Sequence, residues 1–132
     1  FSLLVEKNTI LITRSGTVGK SVLVGDYLRE TVISEHAIKL IIDENKLSSK
    51  YVFGYLNTTQ GLRHLEASAF GSVIITLNED YVGNIEIPII DDADVKKIIE
   101  EISIYQFKLD SATQLENNAI KLIEKEIESW QN

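Results

Sequence analysis

The sequence predicts an α/β fold of the α+β kind, with a small mixed-sheet domain over residues 1–90 and a long helical arm over residues 91–132. Three observations carry this reading. All seven glycines lie in the first part. The single proline, Pro88, stands at the junction, where a residue that cannot donate to a sheet and disfavours helix before it marks a boundary. Beyond it, Glu, Lys, Ile and Leu dominate and apolar residues recur at alternating steps of three and four, the periodicity of a bundle or coiled-coil helix.

Each element has a local reason. Thr9 to Thr13 is short, β-branched and closed by the turn-rich Arg14-Ser15-Gly16-Thr17, which predicts a buried strand. Gly19 to Val24 predicts a second strand and Gly25-Asp26 a turn. Glu30 to Ile33 reads as a short strand, and Ala37 to Asp43 as another, apolar apart from Lys39. Ser48 or Ser49 is placed to N-cap a helix through Tyr51, Val52, Tyr55 and Leu56. Asn57-Thr58-Thr59 reads as a break and re-cap. A second helix then runs to about Ala69, with Leu62 and Leu65 inward, and Gly71 ends it. Ser72 to Leu77 reads as a strand, Asn78 to Asn84 as a turn or one helical turn, and Ile85 to Ile87 as a short strand. In the arm, Val95, Ile98, Ile102, Tyr105, Leu109 and Ala112 form one seam, which resumes at Leu115, Ala119, Leu122 or Ile123, Ile127 and Trp130. Ser111 and Gln114 could cap a new helix, so a two-helix hairpin is the alternative to the favoured continuous helix.

Composition narrows the function. The chain has 132 residues, 44% of them hydrophobic, enough for one packed domain. No apolar run approaches the roughly 20 residues of a membrane span, and no secretory signal is visible. The absence of cysteine excludes disulfide frameworks, thiolate metal sites and cysteine nucleophiles. A cytoplasmic location without a membrane is therefore expected. The chain starts at Phe1 and lacks Met, so it is expected to be part of a longer protein. The formal net charge of -7 argues at first against nucleic acid. It is unevenly spread, however: residues 1–90 hold 8 basic and 10 acidic side chains, residues 91–132 hold 5 and 10. The acidity belongs mostly to the arm.

Chemical motifs are sparse. Ser15-Gly16-Thr17-Val18-Gly19-Lys20-Ser21 imitates a phosphate-binding P-loop, and Leu40-Ile41-Ile42-Asp43-Glu44 imitates its magnesium-holding strand. The P-loop pattern needs a glycine where Arg14 stands and a helix beginning at the lysine. Ser21-Val22-Leu23-Val24-Gly25 is poor helix chemistry, so nucleotide hydrolysis is set aside. Glu35-His36 and His64 lack a third ligand at a suggestive spacing, so no metal or cofactor is expected. Asp91, Asp92 and Asp94 suit the positive N-terminus of a helix. What remains is a loop where Arg14, Lys20 and the hydroxyls of Ser15, Thr17 and Ser21 surround two glycines, a pattern able to meet phosphate oxygens.

The ordered segments resemble the target-recognition domains in specificity (S) subunits of type I restriction–modification systems, C-terminal part. Ile10 through Lys20 resembles the family's signature. Lys50-Tyr51-Val52-Phe53-Gly54-Tyr55-Leu56-Asn57-Thr58 resembles its Tyr-rich helix ending in Leu-Asn-Ser/Thr. Gly71, Leu77 and Ile85-Glu86-Ile87-Pro88 match its later segments, and Val95 to Trp130 its long helix. The likeness spans nearly the whole chain. Two departures stand out: family members usually carry two recognition domains, and their domain begins upstream of Ile12-Thr13-Arg14-Ser15-Gly16.

The resemblance implies a non-catalytic module that reads double-stranded DNA and directs an adenine methyltransferase and an endonuclease, as subunits or as a fused enzyme. It places Arg14, Ser15, Thr17 and Lys20 in a DNA-facing loop, with Glu35, His36 and Arg63 as further DNA-binding candidates. Tyr51, Phe53 and Tyr55 are expected in the core rather than stacked on bases. Ile98, Ile102, Tyr105, Leu109, Ile123, Ile127 and Trp130 form the expected subunit interface, and a homodimer through the arm is a further expectation. The alternative is an acidic coiled-coil protein-interaction module without DNA contact.

Overall fold

A computed structural model describes residues 5–14, 19–26, 37–67 and 79–131. The elements run β1 (Ile10–Thr13), β2 (Ser21–Leu23), β3 (Ala37–Leu40), α1 (Ser49–Leu56), α2 (Thr59–Ala67), α3 (Glu79–Gly83) and α4 (Asp92–Trp130). The expected strands at Glu30–Ile33 and Ser72–Leu77, and the stop at Gly71, lie outside the described residues.

The alternation of β1 decides the sheet. Ile10 and Ile12 are fully buried while Leu11 and Thr13 are half-buried, as a two-residue period requires when one face is packed. β1 is the central strand, in the order β2-β1-β3, and pairs antiparallel with both neighbours. Ile12 faces Ser21 on one side and Ile38 on the other, while Ile10 faces Leu23 and Leu40. The described sheet is thus antiparallel throughout. Val52, Leu56, Leu65 and Val82 complete the core over this face. Each large aliphatic side chain buried there contributes about 1.5–3 kcal/mol relative to exposure.

The helices begin where the sequence supplies caps. Ser48, not Ser49, is the N-cap of α1: its side chain accepts from the Lys50 N–H at 3.2 Å. Ser49 is itself buried, and its N–H donates to the Glu44 carboxylate. At the break, Thr58 Oγ1 donates to Tyr55 O at 2.6 Å and accepts from Gly61 N–H at 3.0 Å. Gly61 lies so close to the end of α1 that a β-carbon there would meet Tyr55 O and the Leu56 backbone. That approach centres the buried stripe of α2 on Gly61 and Leu65. Leu62, expected inward, instead sits at the rim, 37% exposed.

Of the expected turn at Asn78–Asn84, the described residues form the short helix α3, with Val82 inward. The expected strand Ile85–Ile87 is a correction. Its alternation is real, with Ile85 and Ile87 half-buried against the core. Among the described residues it pairs with no strand, however: the segment to Ile90 is irregular, and is pinned where Tyr51 Oη donates to Pro88 O at 2.6 Å.

The arm is one continuous helix of 39 residues through Ser111 and Gln114, not a hairpin. At ~1.5 Å per residue it extends roughly 58 Å. Asp91 caps it, accepting from Ala93 N–H at 3.3 Å, and Asp92 and Asp94 complement its positive end. Ile98 and Ile102 pack on α1 at Gly54, where a β-carbon would lie 2.9 Å from Ile102 Cδ1. One to two turns further on, Gln106 is buried, donating through Nε2 to Val24 O at 3.1 Å and Asn8 Oδ1 at 3.3 Å. Asp110 then accepts from the Asp26 N–H, over Gly25. Residues 114–131 are all exposed. Among the described residues no helix is long and apolar enough to cross a membrane.

The glycines separate in a testable way. Gly61→Ala drives a methyl group into backbone and is expected to destabilise the fold by about 1–3 kcal/mol. Gly83→Ala meets open space and is expected to be neutral or to stabilise by about 0.5–1 kcal/mol. Urea denaturation of the two variants beside the parent checks both; equal effects would contradict the packing described.

Candidate functional site

Arg14 and Lys20 stand at the two ends of a connection that is built as a β-hairpin. Thr13 N–H donates to Lys20 O at 2.8 Å, Gly19 N–H donates to Thr13 O at 3.1 Å, and Lys20 N–H donates to Thr13 Oγ1 at 3.0 Å. Thr13 therefore closes the loop with both backbone and side chain. Gly19 supplies the turn: its φ is +87°, and its Cα lies so near α2 that a β-carbon would sit 3.3 Å from Leu65 Cβ. Ser21 then opens β2, so Gly-Lys-Ser leads into a strand. Without a helix N-terminus at the lysine, the sequence cannot cradle phosphate as a P-loop does.

The hairpin is tied to the helical layer beside it. Asn57 Nδ2 donates to Ser21 Oγ at 3.0 Å and to Phe53 O at 2.8 Å, joining β2 to the end of α1. Gly19 against Leu65 joins the loop to α2, whose exposed residues include Arg63 and His64. Lys20 and Arg63 are both exposed. Hairpin base and α2 are thus in contact through Gly19 and Leu65, and each carries an exposed cation.

Arg14 is placed differently. Its Nη2 pairs with the Glu79 carboxylate at the start of α3, its side chain is only 31% exposed, and its Nε is buried without an acceptor among the described residues. Ser15 and Thr17, and with them Glu35 and His36, lie outside the described residues. Of the expected DNA-facing side chains, the structure therefore places Arg14, Lys20 and Arg63.

Three contributors escaped sequence reasoning. Asn57 looked like a helix break alone, and a polar side chain at a helix end is the signal that could have found its bridging role. Thr13 looked like a strand residue. Glu79 has no local signal at all, since its partner lies 65 residues away.

The aromatic residues of α1 belong to packing. Tyr51 is buried, Phe53 and Tyr55 pack at the edge of the core, and the Phe53 ring stacks on Tyr105 of α4 at a centroid distance of 6.0 Å. Between α1 and the start of α4 runs an open, mostly apolar groove of about 560 Å³, lined by Gly54, Tyr55, Pro88, Ile90 and Ile98 among others. In the arm, Ile98 and Ile102 are half-buried against their own domain. Tyr105, Leu109, Ile123, Ile127 and Trp130 are 42% to 72% exposed.

Comparison with known families matches residues 2–125 to the type I restriction modification DNA specificity domain. No curated protein matches the chain.

The hairpin's geometry predicts its own sensitivity. Gly19→Ala forces a side chain into a left-handed conformation and against Leu65, and is expected to cost about 1–3 kcal/mol. Chemical denaturation measures it, and a loss below a few tenths of a kcal/mol would show that the turn does not need glycine.

Proposed function

We propose a division of labour for this chain, which belongs to the type I restriction–modification DNA specificity family: residues 1–90 read duplex DNA, and residues 91–132 assemble the reader with its enzymes. The chain itself is non-catalytic. It selects the site at which an adenine-methylating subunit, and in turn an endonuclease subunit, act. The observation that carries this reading is the family match across 2–125, which covers both parts.

On the reading side, Arg14, Ser15, Thr17 and Lys20 contact the duplex from the hairpin loop, and Glu35, His36 and Arg63 extend the contact. Cations and backbone N–H groups at phosphate fix position, while side chains reaching base edges supply sequence discrimination. The exposure of Lys20 and Arg63, on two elements that touch at Gly19 and Leu65, supports this. So does the charge division, because the 10 acidic against 5 basic residues of the arm keep the acidity away from the reading domain.

On the assembly side, Ile98, Ile102, Tyr105, Leu109, Ile123, Ile127 and Trp130 form the subunit interface. The first two, and Tyr105 through its stack on Phe53, anchor it to the domain. The others project with their apolar surface in water, which a second helix would remove. A second copy of the arm supplies that helix in a homodimer, and the methyltransferase packs on the assembled pair. Work on DNA by partner subunits places the protein in the cytoplasm.

The test is selection from randomised duplexes by the complete protein with its methyltransferase subunit; recovery of no preferred sequence would sink the proposal. Arg14→Ala and Lys20→Ala are each expected to weaken binding and to flatten the dependence of log affinity on log salt by about one. In light scattering, Ile123→Glu with Ile127→Glu is expected to convert a dimer to a monomer. A parent protein that stays monomeric at high concentration would remove the homodimer.

A further inference from the structure

Glu79 does not belong to the hairpin, yet it holds the one hairpin cation that is turned inward. We propose that Glu79 is a positioning residue for Arg14: it occupies the guanidinium in the free protein and yields it to a DNA phosphate on binding. This rests on the DNA-reading function proposed above.

The asymmetry of the pair carries the argument. The Arg14 side chain is 31% exposed and the Glu79 side chain 65%. The carboxylate is therefore the well-solvated partner, and separating it from the arginine costs little, as for other partly exposed ion pairs. The arginine is also incompletely satisfied. Nη2 is engaged by Glu79, while Nε is buried with no acceptor among the described residues. A buried donor left unpaired has lost its water without gaining a partner, which is unfavourable.

A phosphate offers what Glu79 does not supply in this arrangement. Two of its oxygens match the fork formed by Nε and one Nη, so a single group satisfies both nitrogens. To present that edge, the guanidinium must turn out of its place beside α3. Lys20 is hydrogen-bonded through its backbone to Thr13, the residue before Arg14, and its side chain is exposed. Arg14 turned outward would join it across the hairpin base, giving two cations for one phosphate path. Until then the carboxylate of Glu79 cancels one of them, which lowers attraction to polyanions that cannot displace it.

A double-mutant cycle tests this, using the complete protein bound to its methyltransferase subunit and a duplex titrated over a salt series. Glu79→Gln is expected to tighten binding about two- to fivefold, the scale of a partly exposed ion pair. The gain should disappear in the Arg14→Ala background. A gain that persists there would mean that Glu79 merely repels DNA, and would overturn the proposal. So would unchanged or weaker binding by Glu79→Gln, whether or not its melting temperature falls, since the pair would then be a structural tie. Failure of the parent complex to bind any duplex would instead sink the DNA-reading function itself, a result distinct from the other two.

Discussion

The seating of the first half of α4 on the domain is the constraint on which the rest of the molecule depends. Two unlike surfaces receive it in succession. At Gly54 the missing side chain lets α1 approach closely enough for Ile98 and Ile102 to pack. Further along, Gln106 and Asp110 replace apolar contact with hydrogen bonds to the chain at Val24 and Asp26. The Val24 carbonyl also accepts from Asn8, whose φ of +69° turns the chain into β1. One buried amide thus ties the helix to both strands of the hairpin, at its open end. Removing it would leave the Val24 carbonyl with the Asn8 N–H alone and take the Gln106 donor from Asn8 Oδ1.

This arrangement puts the connection between β1 and β2 and the seat of the arm at opposite ends of one short hairpin. The loop flanked by Arg14 and Lys20 lies beyond Thr13, and the arm is anchored behind Ile10 and Leu23. Between them stand only the paired residues of β1 and β2, a rigid link roughly 13 Å long at ~3.3 Å per residue. The side chains beside it, Asn57 at Ser21 and Leu65 at Gly19, brace it against α1 and α2. A rigid support is what reading a surface requires, because a contact held in place does not need to be ordered at the moment of binding.

Much of this was legible because it is local. The β-branched run at Ile10–Thr13, the capping Ser48, the threonine before α2 and the aspartates at the start of α4 each act within four residues. Their elements fall close to where the periodicity puts them. The family resemblance was legible for a related reason: it is an order of local segments. What sequence could not give depends on distance. Ile85–Ile87 alternates like a strand, but alternation records one buried face and not a ladder partner. Leu62 lost its inward place to Gly61 because of how near α1 lies. The arm's apolar seam reads as one stripe, whereas burial leaves it after Ile102 and follows Ser103, Gln106, Asp110 and Thr113. The helix passes from an apolar neighbour to a polar one, and no heptad records that. The pairing of Arg14 with Glu79 belongs to the same class.

The arm's two halves differ in what keeps them helical. Up to Thr113 some side chains are partly or fully buried against the domain; from residue 114 to 131 all are exposed. A free segment of that length is marginal as a helix in water, although the seated half spares it the cost of nucleation. Its backbone hydrogen bonds are therefore the ones that open first and exchange their amide protons fastest in a lone copy. Pairing would slow that exchange from the tip inward, so the far half reports its own occupancy: amide protection at Ile123 to Trp130 measures assembly without any label or partner-specific assay.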